Sequence, residues 1–407
     1  MPKFAGSSQA ILHSRLSFMM FLHFFSLGAI TPIFSLYLIR VLGFQGTQVG
    51  MILAMGSLAM VVTPLITALV ADKYVSGRHL LAILNFLSAL AFYFLISSQD
   101  FTSVLWFYTL AMAAKGPTFA LSNSITFQNV TDSQKHFPRI RLWGTIGWIA
   151  AGWLFSFLWI QDNGGGTLST VIILAALASF ILGIYSLTLP DTPLPLSEVI
   201  PTKNKENKKN PLGRDLISFL LVTVIISAAD KFYFFGASIF LNQLSWDDKW
   251  ILPVMSLGQV AEVIALVFLS RILPRLGFRK VFLLGAALQV LRFALLAWVR
   301  IPWEIMVTIS LHGLCFSFFF ANAFVYIDSR TTKANRAKVH QLYIFLVEGV
   351  GVTLGNFSAG ITAQSLTVSS KGGIDFSLFW LIPGALTLIS FGILGIFFRP
   401  KTPVVSS

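Results

Sequence analysis

Apolar residues run along this chain in long blocks of about 20, separated by short polar stretches. Twelve blocks stand out, at roughly 17–39, 47–70, 80–98, 102–128, 141–160, 168–188, 215–243, 251–270, 281–299, 303–327, 339–364 and 376–398. About 20 helical residues cross a hydrocarbon core of roughly 30 Å, so each block is long enough to span a bilayer. The hydrocarbon offers backbone groups no water, so spans must be helices or a closed barrel. Barrel strands would alternate apolar and polar positions; these blocks are continuous, which predicts helices. The expected fold is an all-α membrane protein of twelve transmembrane helices in two six-helix halves. Its longest polar stretch, Pro190 to Arg214, is rich in Pro, Lys and Asn and reads as a flexible linker. The expected division is therefore 1–189 for the first half, 190–214 for a cytoplasmic linker and 215–407 for the second half. The first block is too long for a signal-peptide core and no small-residue cleavage site follows it, so it reads as the first span.

Composition sharpens this picture. A chain of 407 residues could hold two or three soluble domains, but 56% hydrophobic against 11% charged, with 39 Phe, points to lipid. The net charge of +13 raises nucleic acid as a partner, and its placement excludes it. Only Arg40, Lys249, Arg300 and Lys371 fall on one side of the expected spans, and Lys115, Arg141, Lys231 and Arg292 lie within them. The other Lys and Arg residues gather on the side of the N-terminus, the positive-inside pattern, which places both termini in the cytoplasm. Attraction to anionic lipid follows as a secondary effect. The single Cys315 lies inside a span, so no disulfide framework is expected. No phosphate-cradling loop, metal-ligand cluster or catalytic triad is evident, so neither an enzyme nor a cofactor or metal is expected.

One stretch organises the candidate chemistry: Pro138-Arg-Ile-Arg141-Leu-Trp-Gly144-Thr145-Ile-Gly147-Trp148. On a helix, Arg141, Thr145 and Trp148 share one face and form one wall of a polar cavity. Gly144 and Gly147 admit a neighbouring helix closely. The first span carries few polar atoms.

Charges within a bilayer cost about 2.5–3.5 kcal/mol each on insertion scales, so each needs a reason. Glu262 lies mid-span with Gln259 three residues earlier on the same face. It is the leading candidate for carrying a proton across the membrane; the opposing reading pairs it with Arg141 or Lys115 to hold the bundle. Asp230 and Lys231 are adjacent, so they do not face each other and each needs a partner on another helix. Tyr233 lies near Asp230. Lys115 is either a counter-ion for Glu348 or Glu262, or functional. His312, which shares a face with Phe316, is either a satisfied interior residue or part of the site. Arg292, toward one end of its span, reads as a snorkelling cation. Asp328 reads as structural. Asp72 and Arg78, in Asp72-Lys-Tyr-Val-Ser-Gly77-Arg78, either solvate a loop or latch neighbouring helix ends. A second basic turn, Ser270 to Lys280, stands at the matching place in the other half, and Arg336, Gln341 and Gly349 echo the start of the fifth span.

These residues resemble a known family. Six spans, a basic linker and six more is the arrangement of major facilitator transporters, and the Asp72–Arg78 loop resembles their signature between the second and third spans, with extra residues before the glycine. Phe137 to Trp148 resembles the start of the fifth span of the nucleoside:proton symporters within that superfamily. Ala71-Asp72-Lys73, Pro117-Thr118 with Asn123-Ser124, and Leu291-Arg292-Phe293-Ala294-Leu295 are similar too, and the likeness extends over most of the chain. The resemblance implies proton-coupled nucleoside uptake by alternating access. It implies a substrate site drawing on Arg141, Thr145, Trp148, Asp230, Tyr233, Gln259, Glu262, His312 and Phe316. Three departures from the family pattern stand out. Asp230 and Tyr233 replace amides, His312 replaces Tyr, and Ser317 replaces an acid, which leaves Glu262 as the proton candidate. A flat base suits stacking on Trp148 or Phe316, and its edge and ribose hydroxyls suit Gln259, Thr145, Arg141 and Glu262. The rival readings are the same fold carrying a sugar or an aromatic acid, the acid leaning on Arg141 and Lys115, and a receptor that does not transport. The expected partners are a nucleoside, a proton and the lipid of a bacterial inner membrane, with the chain acting as a monomer.

Overall fold

The computed structural model describes residues 3–74, 76–130, 132–161, 167–190, 214–331, 333–368 and 373–399. It is helical almost throughout. The elements are α1 (Lys3–Ile30), α2 (Phe34–Arg40), α3 (Gly46–Tyr74), α4 (Gly77–Ser97), α5 (Phe101–Asn129), α6 (Ser133–Gln161) and α7 (Thr170–Ser186). After the linker come α8 (Arg214–Gln243), α9 (Asp248–Met255), α10 (Leu257–Trp298), α11 (Pro302–Cys315), α12 (Asn322–Arg330), α13 (Lys333–Ile344), α14 (Val352–Ser365) and α15 (Phe376–Phe397). Two π-helical turns, Phe316–Ala321 and Phe345–Gly351, join α11 to α12 and α13 to α14. A two-residue hairpin, β1 (Thr367–Val368) and β2 (Gly373–Ile374), precedes α15.

Among the described residues, nine helical stretches are long and apolar enough to cross a membrane. One of them, Asp248–Trp298, holds two of the sequence blocks, divided at Gly277, whose φ of 73° only glycine adopts freely. With α5 and the shorter α7, these stretches cover the twelve blocks. The linker between Pro190 and Arg214 lies outside the described residues.

The chain forms two compact units. The first comprises Met1–Phe44, Met55–Ile200 and Asp247–Pro253; the second comprises Gln45–Ala54, Pro201–Trp246 and Val254–Ser407. Within the first, α1 packs against α6 and α7, and α4 against α5 and α7. A Cβ on Gly147 would stand 2.2 Å from the Phe21 carbonyl oxygen, so α1 and α6 touch backbone to backbone. In the second unit α8 packs against α14 and α15, and α10 against α11 and α15. A Cβ on Gly355 would stand 2.4 Å from the Ala228 carbonyl, so the seventh and eleventh spans meet as the first and fifth do. This shared packing is the structural form of the echo read between those spans.

Prolines inside helices free carbonyls that the hydrocarbon cannot satisfy. Pro117 leaves the Ala113 carbonyl, four residues earlier, without its amide donor. Thr63 Oγ1 on α3 donates to that oxygen at 2.7 Å. Thr63→Val keeps the shape and removes the donor, so we expect a loss of about 1–3 kcal/mol. Thermal unfolding of the detergent-solubilised protein measures it; an unchanged midpoint would show that another donor replaces the hydroxyl.

Candidate functional site

In the first unit, α6 sorts its residues onto three faces. Ile140, Gly144, Gly147, Ala151 and Phe155 are buried, while Leu142, Trp143 and Ile146 are exposed. Arg141, Thr145 and Trp148 are half-buried and share the third face. The structure therefore brings these three onto one strip. Arg141 is held over the Phe24 ring of α1, 3.9 Å from its centroid. Its guanidinium crosses Gly144, where an added Cβ would stand 2.8 Å from an Arg141 nitrogen and 2.6 Å from Phe24. Glycine at 144 thus makes room for the cation and the ring together.

Behind that strip the same unit holds a buried polar group, of which sequence reasoning named Lys115 and Thr118 and missed His23 and Asn85. His23, Asn85, Lys115 and Thr118 are buried completely. Lys115 Nζ donates to Asn85 Oδ1 at 3.0 Å, and Thr118 Oγ1 lies 3.4 Å from His23 Nδ1. The partner the structure gives Lys115 is thus an amide, where the sequence suggested a carboxylate. The first span is also more polar than it reads: beside His23, Ser26 contacts Ser179 at 2.9 Å and donates to the Ala175 carbonyl. The signal was present in the sequence as a histidine and an asparagine within apolar blocks.

In the second unit, Gln259 and Glu262 are half-buried on the first part of α10. Gln259 Oε1 is sealed from solvent and accepts no hydrogen bond among the described residues. Glu262 is positioned by the backbone. A Cβ on Gly313 would fall 2.1 Å from the Gly258 carbonyl and 2.2 Å from the Glu262 nitrogen, and Ser317 Oγ donates to the Glu262 carbonyl at 3.1 Å. Phe316 is half-buried beside Phe320, at the start of the first π-helical turn. Such turns are rare and concentrate at functional sites. Glu348 lies in the second π-helical turn and is exposed.

Asp230, Tyr233 and His312 come together in a different setting, around Arg292. Arg292 has no exposed side-chain surface and pairs with Asp230 at 2.8 Å. Its other terminal nitrogen lies 2.6 Å from His312 Nδ1. Tyr233 stacks on His312 with centroids 4.9 Å apart, and its hydroxyl is buried without a hydrogen-bond partner among the described residues. Arg292 is therefore an interior cation, not a snorkelling one; the helix turns it toward α8 and α11 and away from the interface. Lys231 points elsewhere, over the Phe234 ring at 4.8 Å. Asp328 pairs with His340 at 2.7 Å and Arg336 at 3.3 Å, tying α12 to α13.

The side chain of Asp72 lies outside the described residues. Arg78 donates to the Leu189 carbonyl at 3.3 Å, beyond the end of α7, and Arg279 donates to the Gly395 carbonyl in the last turn of α15. Each basic turn thus meets the carbonyl end of the last span of its own half, where a cation complements the helix dipole.

The helical architecture and polar interior define a secondary transporter of the major facilitator type. The crystal structure of the nucleoside transporter NupG superposes with a TM-score of 0.82, at 23% identity, covering 96% of this chain and 100% of that one. The chain is 29% identical to YegT of Escherichia coli over 95% of its length and 93% of that protein. It is 27% identical to the Xanthosine permease of the same organism, over 90% and 91%. Residues 11–403 match the family described as Nucleoside H+ symporter, and the chain belongs to that family. It is a multi-pass membrane transporter, not an enzyme, and its function is proton-coupled nucleoside uptake.

Proposed function

We propose that Arg141, Thr145, Trp148, Gln259, Glu262 and Phe316 contact the nucleoside, and that Glu262 carries the proton. Asp230, Tyr233 and His312 complete the set through their common cluster. The observation that carries this reading is the sealed, unsatisfied Oε1 of Gln259 on the helix that holds Glu262. A buried acceptor without a donor costs about 1–3 kcal/mol. A base N–H or ribose hydroxyl supplies the missing donor, while Trp148 or Phe316 offers a face for the base. Glu262 takes up a proton outside, substrate binds, and both leave inside. The basic residues on the N-terminal side of the spans support cytoplasmic termini in a bacterial inner membrane. A single chain supplies all of these groups, which supports a monomeric carrier.

The test is uptake of radiolabelled uridine and adenosine into proteoliposomes, competed with sugars and aromatic acids, with and without a pH gradient. Glu262→Gln is expected to lower gradient-driven accumulation by about tenfold across one pH unit, the factor that one proton stores. Full accumulation by that variant would remove Glu262 from the proton's path. Competition by sugars or aromatic acids, but not by nucleosides, would overturn the substrate assignment.

A further inference from the structure

The geometry points to His312 as a second proton-exchanging group, one that changes partners when it is loaded. The argument starts from which atoms can donate. A guanidinium nitrogen only donates, so His312 Nδ1, 2.6 Å from Arg292 Nη1, must accept. His312 is therefore neutral in this structure, with its proton on Nε2. A second proton makes Nδ1 a donor and sets it against the Arg292 donor at the same short distance. The nearest acceptor is Asp230 Oδ1, 3.6 Å away, which already receives Arg292 Nη2 at 2.8 Å. Loading His312 thus breaks its bond to Arg292 and makes it compete with Arg292 for Asp230. The step is a proton transfer: an N–H bond forms at Nδ1 as an O–H bond of hydronium breaks, and release to water reverses it.

The charged and titratable groups around the ring are few. From α8 come Asp230, Tyr233 and Lys231, and from the far part of α10 comes Arg292. The near part of α10 brings the Glu262 backbone against Gly313, and Cys315 follows on α11 itself. Asp230 and Arg292 neutralise each other, so the added proton leaves a net positive charge in the interior. The side chains of His312 and Asp230 keep 5% and 8% of their surface exposed while Arg292 keeps none, so a proton reaches the cluster on the side of the histidine and the carboxylate. The three side chains sit on three helices, so a change of partner acts on all of them. The π-helical turn at Phe316–Ala321 begins four residues on, where α11 yields most easily.

This inference rests on proton-coupled uptake but not on Glu262. The experiment measures the uridine ratio held at static head in proteoliposomes across one pH unit, with the membrane potential clamped at zero. Each coupled proton contributes about tenfold for an uncharged solute. The wild-type carrier is expected to hold about a hundredfold. His312→Gln, which can still accept from Arg292 but binds no proton, is expected to hold about tenfold. His312→Gln with Glu262→Gln together should only equilibrate. A wild-type ratio of about tenfold that Glu262→Gln abolishes overturns the proposal. So does an unchanged ratio in His312→Gln, even where Glu262→Gln abolishes accumulation and the Glu262 reading stands. If Glu262→Gln accumulates like wild type while His312→Gln falls, the Glu262 reading fails and this one holds.

Discussion

Arg292→Met is expected to destabilise the protein by about 3–5 kcal/mol, because it strands Asp230 as an uncompensated interior charge. Asp230 keeps only 8% of its side-chain surface exposed and Arg292 none, so water replaces little of the lost partner. The pair is not a strong stabiliser in its own right. Arg292 Nε is buried without a hydrogen-bond partner among the described residues, so part of the desolvation cost goes uncompensated. Asp230→Leu combined with Arg292→Met should therefore recover most of the loss, since apolar groups of similar volume replace buried ion pairs at little cost. Thermal unfolding of the purified protein in detergent, followed across both single variants and the double variant, measures the coupling. A double variant no better than Arg292→Met would show that the cluster is held by more than this pair, with His312 as the next member to remove.

That cluster also marks the limit of what the sequence could tell. The apolar blocks located most of the spans to within a few residues, the first helix starting well before its block, because hydropathy is a property of every position in a block. The faces of α6 were legible for the same reason: helical spacing alone puts Arg141, Thr145 and Trp148 together. Partners were not legible. Arg292 lies near enough to the end of its block to reach an interface, and spacing does not say which neighbour stands opposite. The structure supplies Asp230 from α8, and with it the partner that adjacency to Lys231 could not provide. Lys115 was read against carboxylates because charge suggests charge, yet it meets the amide of Asn85. The π-helical turns were invisible as well. Each shifts the helical phase, so face arguments carried past Phe316 or Phe345 lose register.

Gly313→Ala is expected to lower nucleoside uptake by more than about tenfold, the largest effect of any single methyl group in the second unit, through a barrier increase of about 1.4 kcal/mol or more. The new Cβ would lie 2.1 Å from the Gly258 carbonyl oxygen and 2.2 Å from the Glu262 nitrogen. Both are backbone atoms, so no side-chain rotation relieves the contact, and α10 must move away from α11. That movement displaces Glu262 on one helix and His312 on the other. Overpacking of this kind costs about 1–3 kcal/mol in stability, less than the loss of an interior counter-ion, so much of the protein should still fold. Gly392→Ala is the control. Among the described residues nothing lies within 4 Å of its added Cβ in α15, and alanine is the better helix former by roughly 1 kcal/mol, so stability should hold or rise with uptake unchanged. Uptake by Gly313→Ala equal to wild type would mean that α10 and α11 separate without moving the carboxylate, and the close approach at Gly313 would then be packing alone.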